Sequence, residues 1–267
     1  MINKLTPILC LFGLLFSSLT FANISEKNRD EVDTASPTDK VTQAIDPSDL
    51  TRVYTMASVW VNTQNNIRAT ASWSGAWNEK HSFMGFIEGY LGDEDDADKW
   101  GADLLKVRAQ YFHVIDTDLS YAPKLGFSVD YIDNQGDNNL AAIGLIGMVP
   151  PSVTGKLQLF PNIAYMTGKA EGVDVDGYML NLYGTYLMGT NGSYIQLWPE
   201  YISVSGTGVD SNSLTLSGLY AQPLNTNKTV WFNLRVDYAN KETKLTGYYD
   251  RINEDEAVVT LGFKFYL

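Results

Sequence analysis

From Thr51 to Leu267 the chain switches between stretches in which apolar and polar residues alternate and short runs rich in turn formers. A period of two is the signature of a half-exposed β-strand, because successive side chains point to opposite faces. The alternation predicts twelve strands, at 52–62, 66–77, 81–91, 103–115, 123–133, 139–149, 155–167, 177–188, 193–205, 212–222, 228–240 and 257–267. Ten is the alternative count if the first hairpin is misread. Ile67, Ala69, Ala71 and Trp73 alternate with Arg68, Thr70, Ser72 and Ser74; Leu125, Phe127, Val129 and Tyr131 alternate with Gly126, Ser128 and Asp130. Val230, Phe232, Leu234, Val236 and Tyr238 alternate with Trp231, Asn233, Arg235 and Asp237. Each segment is near the 9–11 residues that a tilted strand needs to cross a bilayer.

The last segment is the most one-sided. Val259, Leu261, Phe263, Phe265 and Leu267 occupy one face, and Val258, Thr260, Gly262, Lys264 and Tyr266 the other. An apolar terminal strand needs a cover, and lipid supplies one for a transmembrane barrel. In this strand the chain resembles Gram-negative outer-membrane β-barrel proteins of the small monomeric channel type. The resemblance rests on pattern and not on the motif of one family. It implies an all-β, antiparallel transmembrane barrel, and a role for those five apolar residues as the signal read by the barrel-assembly machinery. An aromatic usually ends such strands; here Leu267 does, with Phe265 two before it.

The N-terminus fits export. Met1 to Lys4 is a short basic region, Leu5 to Leu19 an apolar core, and Thr20-Phe21-Ala22 a small-residue cleavage site. The expected organisation is a signal peptide over 1–22, a flexible periplasmic tail over 23–50 and a barrel over 51–267. Cys10, the only cysteine, falls in the leader, so the mature chain has no disulfide or Cys metal site. A net charge of −12 argues against nucleic acid. Mean hydropathy is uninformative here, because a barrel hides its lipid face in alternate residues.

With the C-terminus on the periplasmic side, the outer loops are 63–66, 92–102, 134–138, 168–176, 206–211 and 241–256, a mostly longer and more acidic set than the turns at the other end. Gln158-Leu159-Phe160-Pro161-Asn162 echoes Gln196-Leu197-Trp198-Pro199-Glu200. Proline removes a ladder donor, so the pair reads as matched bulges or as a side gap lined by Phe160 and Trp198.

Candidate chemistry is sparse. Barrel enzymes as a group resemble one another in using His with Ser or Asp near the outer rim, and this chain has only His81 and His113, both read near periplasmic strand ends. His81 and Ser82 are adjacent and face opposite ways, so they make no nucleophile–base pair. The expectation is no catalytic residue, no metal site and no cofactor. The acidic run Asp93, Glu94, Asp95, Asp96 and Asp98, the Asp174/Asp176 pair and Glu254-Asp255-Glu256 offer weak binding of divalent cations or a bridge to lipopolysaccharide. Facing inward are Arg68, Glu88, Lys106, Arg108, Asp130, Glu200, Arg235, Asp237 and Lys264, with the aromatics Phe160, Trp198 and Trp231; these are the lumen or constriction candidates. Charges in a narrow barrel pair or are hydrated. The leading expectation is a passive channel for a small hydrophilic solute through a mixed-charge lumen; the alternatives are a closed structural or surface-interaction barrel and, third, an enzyme.

Overall fold

The computed structural model describes residues 54–96, 99–135, 138–188, 191–246 and 252–267. The expected leader and tail lie outside them. The strands are Tyr54–Asn62 (β1), Ile67–Ala76 (β2), His81–Gly92 (β3), Asp103–Asp116 (β4), Lys124–Asp133 (β5), Asn139–Gly147 (β6), Leu157–Ala170 (β7), Val173–Met188 (β8), Ser193–Gly206 (β9), Val209–Pro223 (β10), Val230–Leu245 (β11) and Ile252–Tyr266 (β12). A four-residue helix, Pro151–Thr154 (α1), interrupts the connection from β6 to β7. Each strand pairs antiparallel with its sequence neighbours, and β1 pairs with β12 from Met56↔Tyr266 to Asn62↔Thr260, which closes a twelve-stranded barrel. Closure leaves no free sheet edge in the wall, the condition for a sheet in lipid.

The barrel is apolar outside and polar inside. Directly opposite residues in an antiparallel ladder share a face. The register therefore carries the face assignment around the wall. Glu88 opposes Arg108, Asp130 opposes Ala142, Glu200 opposes Asn181 and Thr215, and Trp231 opposes Lys264. These residues point inward. The other parity is exposed and apolar: Ile143 is 63% exposed, Leu145 70% and Ile163 58%. A continuous exposed apolar belt marks a surface made for a non-aqueous neighbour. Val259, Leu261, Phe263, Phe265 and Leu267 all lie on it.

The loops depart from the sequence reading. The segments 168–176 and 206–211, read as loops, are mostly ladder. Strands β7 and β8 run into a turn at Glu171 and Gly172, with φ of 52° and 76°. Two successive positive φ values match the twist of the hairpin and let it continue outward. Strands β11 and β12 likewise extend to Thr243↔Ile252. The rim that carries these hairpins is tall from β7 to β12 and low at β1–β2, whose turn follows Asn62.

Neither proline forms a bulge, and the strands keep their register past both. Pro161 sits in unbroken register opposite Leu182. Pro199 opposes Leu216 on one side; on the other, pairing stops at Asn181↔Glu200 and resumes at Gly184↔Leu197 without a shift. One ladder loses contact over two residues, as expected where a ring replaces an N–H. The register shift lies elsewhere, between Tyr90 and Leu91.

Much of the interior is filled. Ala142, Ala164, Met166, Val175, Met179 and Val204 pack inside β6–β9 toward the tall rim. Trp60, Tyr194, Leu219, Ala221, Trp231 and Tyr266 pack inside β9–β12 and β1, mostly toward the strand termini. Trp60 lies flat on Gly262, where a Cβ would stand 2.4 Å from its ring carbons.

Candidate functional site: a waist and a vestibule

All twelve candidate lumen residues share the inward parity, and nine of them fall into two groups. The first spans the barrel. Arg108 on β4 donates from Nε to both carboxylate oxygens of Asp130 at 3.2 Å, and from Nη2 to Oδ2 at 2.5 Å. The same Nη2 reaches Oε2 of Glu200 at 2.8 Å. Glu200 lies on β9, across the lumen, so this ion pair bridges facing walls. Gln110 donates to Asp130 at 3.0 Å and to the Tyr183 hydroxyl, also across the lumen, at 3.1 Å. The ring of Phe112 meets that of Tyr183 edge-on, with centroids 5.5 Å apart. Ser128 donates to Asn162 at 3.0 Å. Asp130 and Ser128 are each 1% exposed. These contacts form a waist. A carboxylate so deeply enclosed requires a paired, hydrogen-bonded cation, and Arg108 supplies a planar fork that serves two carboxylates at once.

The second group lines a cavity of about 280 Å³ open toward the low rim, bordered by Trp60, Arg68, Tyr90, Lys106, Arg235 and Asp237, with Asn62, Gln64 and Glu256 at its mouth. Arg68 lies over Trp60, 4.4 Å from the ring centre, and is 3.9 Å from Glu88. Tyr90 joins them, accepting from Arg68 at 3.3 Å and donating to Glu88 at 3.2 Å. Arg235 holds Asp237 at 2.7 and 2.8 Å and covers the Trp198 ring at 4.8 Å. Ser217 donates to Asp237 at 2.5 Å. Gln64 bonds Glu256 and ties the low β1–β2 turn to β12.

The remaining candidates stand apart. Lys264 donates to the Tyr194 hydroxyl at 3.2 Å toward the strand termini. Trp231 is 0% exposed in the aromatic cluster and donates to the carbonyl of Lys228 at 2.5 Å. Phe160 is opposite Tyr183, just on the terminus side of the waist.

The sequence reading did not single out Gln110, Phe112, Tyr90, Asn181 or Tyr183. Their inward parity was available; their contacts join strands far apart in sequence and leave no local signal. The two histidines also gain a relationship. His81 Nδ1 and His113 Nε2 are 2.9 Å apart on the outer wall, beside Tyr111, with Phe127 stacked on His113 at 5.4 Å. Diagonal neighbours on adjacent strands come this close. In the acidic loop after β3, Asp93 accepts the backbone N–H groups of Asp95 and Asp96 at 3.0 Å each, and Lys99 pairs with Asp96. Asp98 lies outside the described residues.

No family model matches the sequence, and no curated protein matches it. Among solved structures the chain is similar to the KdgM porin, at 12% identity over 79% of this chain and 98% of that one, with a TM-score of 0.47. It is similar to the NanC porin at 12% identity over 80% and 100%, TM-score 0.47. It is similar to OmpT, an outer membrane protein of Vibrio cholerae, at 10% identity over 81% and 98%, TM-score 0.40. The fold stands on the chain's own strand pairing and exposed apolar belt, a closed twelve-stranded antiparallel barrel, and no one family is assigned.

Proposed function

We propose that this chain is a Gram-negative outer-membrane barrel that admits small hydrophilic solutes at the vestibule and passes them inward when the waist opens. The strand termini face the periplasm in this reading, and the tall hairpins face outward. One observation carries the proposal: a cavity lined by charged and aromatic side chains opens at the rim, and its Thr215 stands opposite Glu200 of the ion pair that joins facing walls. A barrel built only to be closed has no use for an open, charged mouth of that kind. Arg108 stays paired with Asp130 if Glu200 swings away, so the bridge opens without stranding a buried guanidinium.

The test is conductance of the refolded chain in planar bilayers. Wild-type protein is expected to give brief, small openings, and Glu200→Ala is expected to lengthen and enlarge them severalfold. Silence from both, in protein shown to be folded and inserted, sinks the channel reading. It leaves the second one, a closed surface-interaction barrel, which the direct contact of Arg108 with Glu200 and Gln110 with Tyr183 favours.

A further inference from the structure

The two histidines of the sequence meet on the outer wall, at the end of the barrel that holds the strand termini. His81 opens β3 and His113 lies near the end of β4. They are diagonal neighbours, since His81 opposes Ile115 and His113 opposes Phe83. The His81 backbone N–H donates to Oδ1 of Asn78 at 3.0 Å, which anchors it to the β2–β3 turn. His81 Nδ1 and His113 Nε2 stand 2.9 Å apart. A single hydrogen bridges them, because two N–H groups do not face each other at that distance. His113 Nδ1 is 3.3 Å from the Tyr111 hydroxyl, and Phe127 lies parallel to the imidazole at 5.4 Å. With Nδ1–H donating to Tyr111, the Nε2 lone pair is free and aimed at His81. Both imidazoles are half-buried. The exposed Trp77 and Tyr121 mark the boundary between bilayer and water at this end, so dissolved ions reach the pair.

We infer that His81 and His113 form a two-imidazole site on the outer wall for a divalent transition-metal ion, copper(II) foremost. At ordinary metal–nitrogen lengths of about 2.0–2.1 Å, a 2.9 Å edge subtends about 90° at the ion. That is the cis angle of the tetragonal geometry copper(II) takes; the tetrahedral angle of zinc needs the nitrogens farther apart. The ion takes the place of the bridging hydrogen. The His81 proton moves to Nε2, so both rings bind as neutral imidazoles and no proton is lost. A small turn of the His81 ring brings both lone pairs onto the ion. Among the described residues no third His, Cys, Asp or Glu joins the pair, so water fills the other positions and the ion exchanges. Neighbouring charge selects a cation over a phosphate. The turn pocket beside the pair carries Glu79, Asp116 and Asp118 against Lys80, and Lys80 and Lys124 are taken by Asp118 and Asp116. A bound ion ties the ends of β3 and β4 together.

The experiment is a titration of the untagged, signal-free chain, folded in detergent, with copper(II) in a non-chelating buffer, read by electron paramagnetic resonance. That chain has no cysteine and no histidine besides these two, so the nitrogen signature is theirs. One copper per chain is expected, with splitting from two equatorial imidazole nitrogens. His81→Gln and His113→Gln are each expected to weaken binding about tenfold or more and to leave a one-nitrogen spectrum. Tyr111→Phe, which removes the hydroxyl that orients His113 and keeps the ring, is expected to weaken binding severalfold with both nitrogens retained. Glu94→Gln, in the acidic loop at the other end of the barrel, leaves it unchanged. Heat-modified gel mobility confirms that each variant is folded. Copper held through oxygen alone, a one-nitrogen spectrum in the wild type, or an affinity unaltered in either histidine variant overturns the site. The readout involves no current, so the site stands or falls apart from the channel.

Discussion

At the scale of single residues, the waist makes a sharp distinction between two carboxylates that touch the same arginine. Asp130 accepts from Arg108 Nε and Nη2 and from Gln110, and it is 1% exposed. Glu200 accepts from Arg108 Nη2 and, with the Asn181 amide turned so that its nitrogen faces the carboxylate, from Asn181 at 3.1 Å. Asp130→Ala leaves a buried cation and an amide without their main acceptor and is expected to cost about 3–5 kcal/mol. Glu200→Gln keeps an acceptor in place and is expected to cost about 1–3 kcal/mol. Urea unfolding from vesicles, with unchanged slope, measures both; equal costs would mean that the waist is not organised around Asp130. Gly262 makes a second case. A methyl group there meets the Trp60 ring, and overpacking of that kind costs about 1–3 kcal/mol. Gly262→Ala is also expected to shift Trp60 fluorescence, because the ring supports Arg68 at 4.4 Å. An unchanged spectrum and midpoint would refute the contact.

At the scale of elements, strands whose outward face is uninterruptedly apolar were readable to within a residue or two. The prediction of 103–115 becomes Asp103–Asp116, and 193–205 becomes Ser193–Gly206. The failures share one cause. Where β7–β8, β9–β10 and β11–β12 rise above the apolar belt, the outward face turns polar, with Asp174, Asp176, Ser203, Ser205, Asp210 and Asp255 on it, and the apolar-out alternation ends although the backbone ladder continues. Only turn chemistry, such as the Glu171-Gly172 pair, hinted at it. The belt itself yields a depth-dependent prediction. Leu261, near the middle of β12, and Leu267, at its end, are both exposed. Leu261→Arg is expected to cost about 2–4 kcal/mol and Leu267→Arg about 0–1 kcal/mol, by refolding into lipid vesicles. Equal penalties would place the bilayer elsewhere. Above the belt, hydrogen bonds from Asn240 and Tyr238 hold the Asp255 carboxyl below its ordinary range. A depressed carboxylate supports the fold above its unfolded value near 3.9 and loses that support as pH falls through the folded one. Backbone exchange in the β11–β12 extension is therefore expected to quicken below about pH 4 in wild type and to show no such step in Asp255→Asn.

At the scale of the whole molecule, parity alone put the right charges inside, but could not say whether they pair or line a path. That depends on which walls touch. Arg108 and Glu200 are 92 residues apart, and Gln110 and Tyr183 are 73 apart. Neither separation has a sequence signature, because it depends on which walls face each other once the sheet has closed. The result is a lumen divided unequally: the rim side of the waist holds both the vestibule and one packed cluster, and the other side is packed with aromatic and apolar side chains. This division is open to direct test, since Cys10 is the sole cysteine and lies in the expected leader. A single cysteine introduced into the signal-free chain is then the only thiol. Thr215 borders the vestibule, and Ser128, which a cysteine replaces with little change of shape, sits 1% exposed at the waist. A membrane-impermeant thiol reagent is expected to label Thr215→Cys rapidly and Ser128→Cys hardly at all. Adding Glu200→Ala to Ser128→Cys removes the far half of the bridge and is expected to raise its labelling at least tenfold. Rapid labelling of Ser128→Cys with the bridge intact would mean that water already passes the waist and that Arg108 does not close it; no gain on its removal would mean that the packed residues, and not the ion pair, are the barrier.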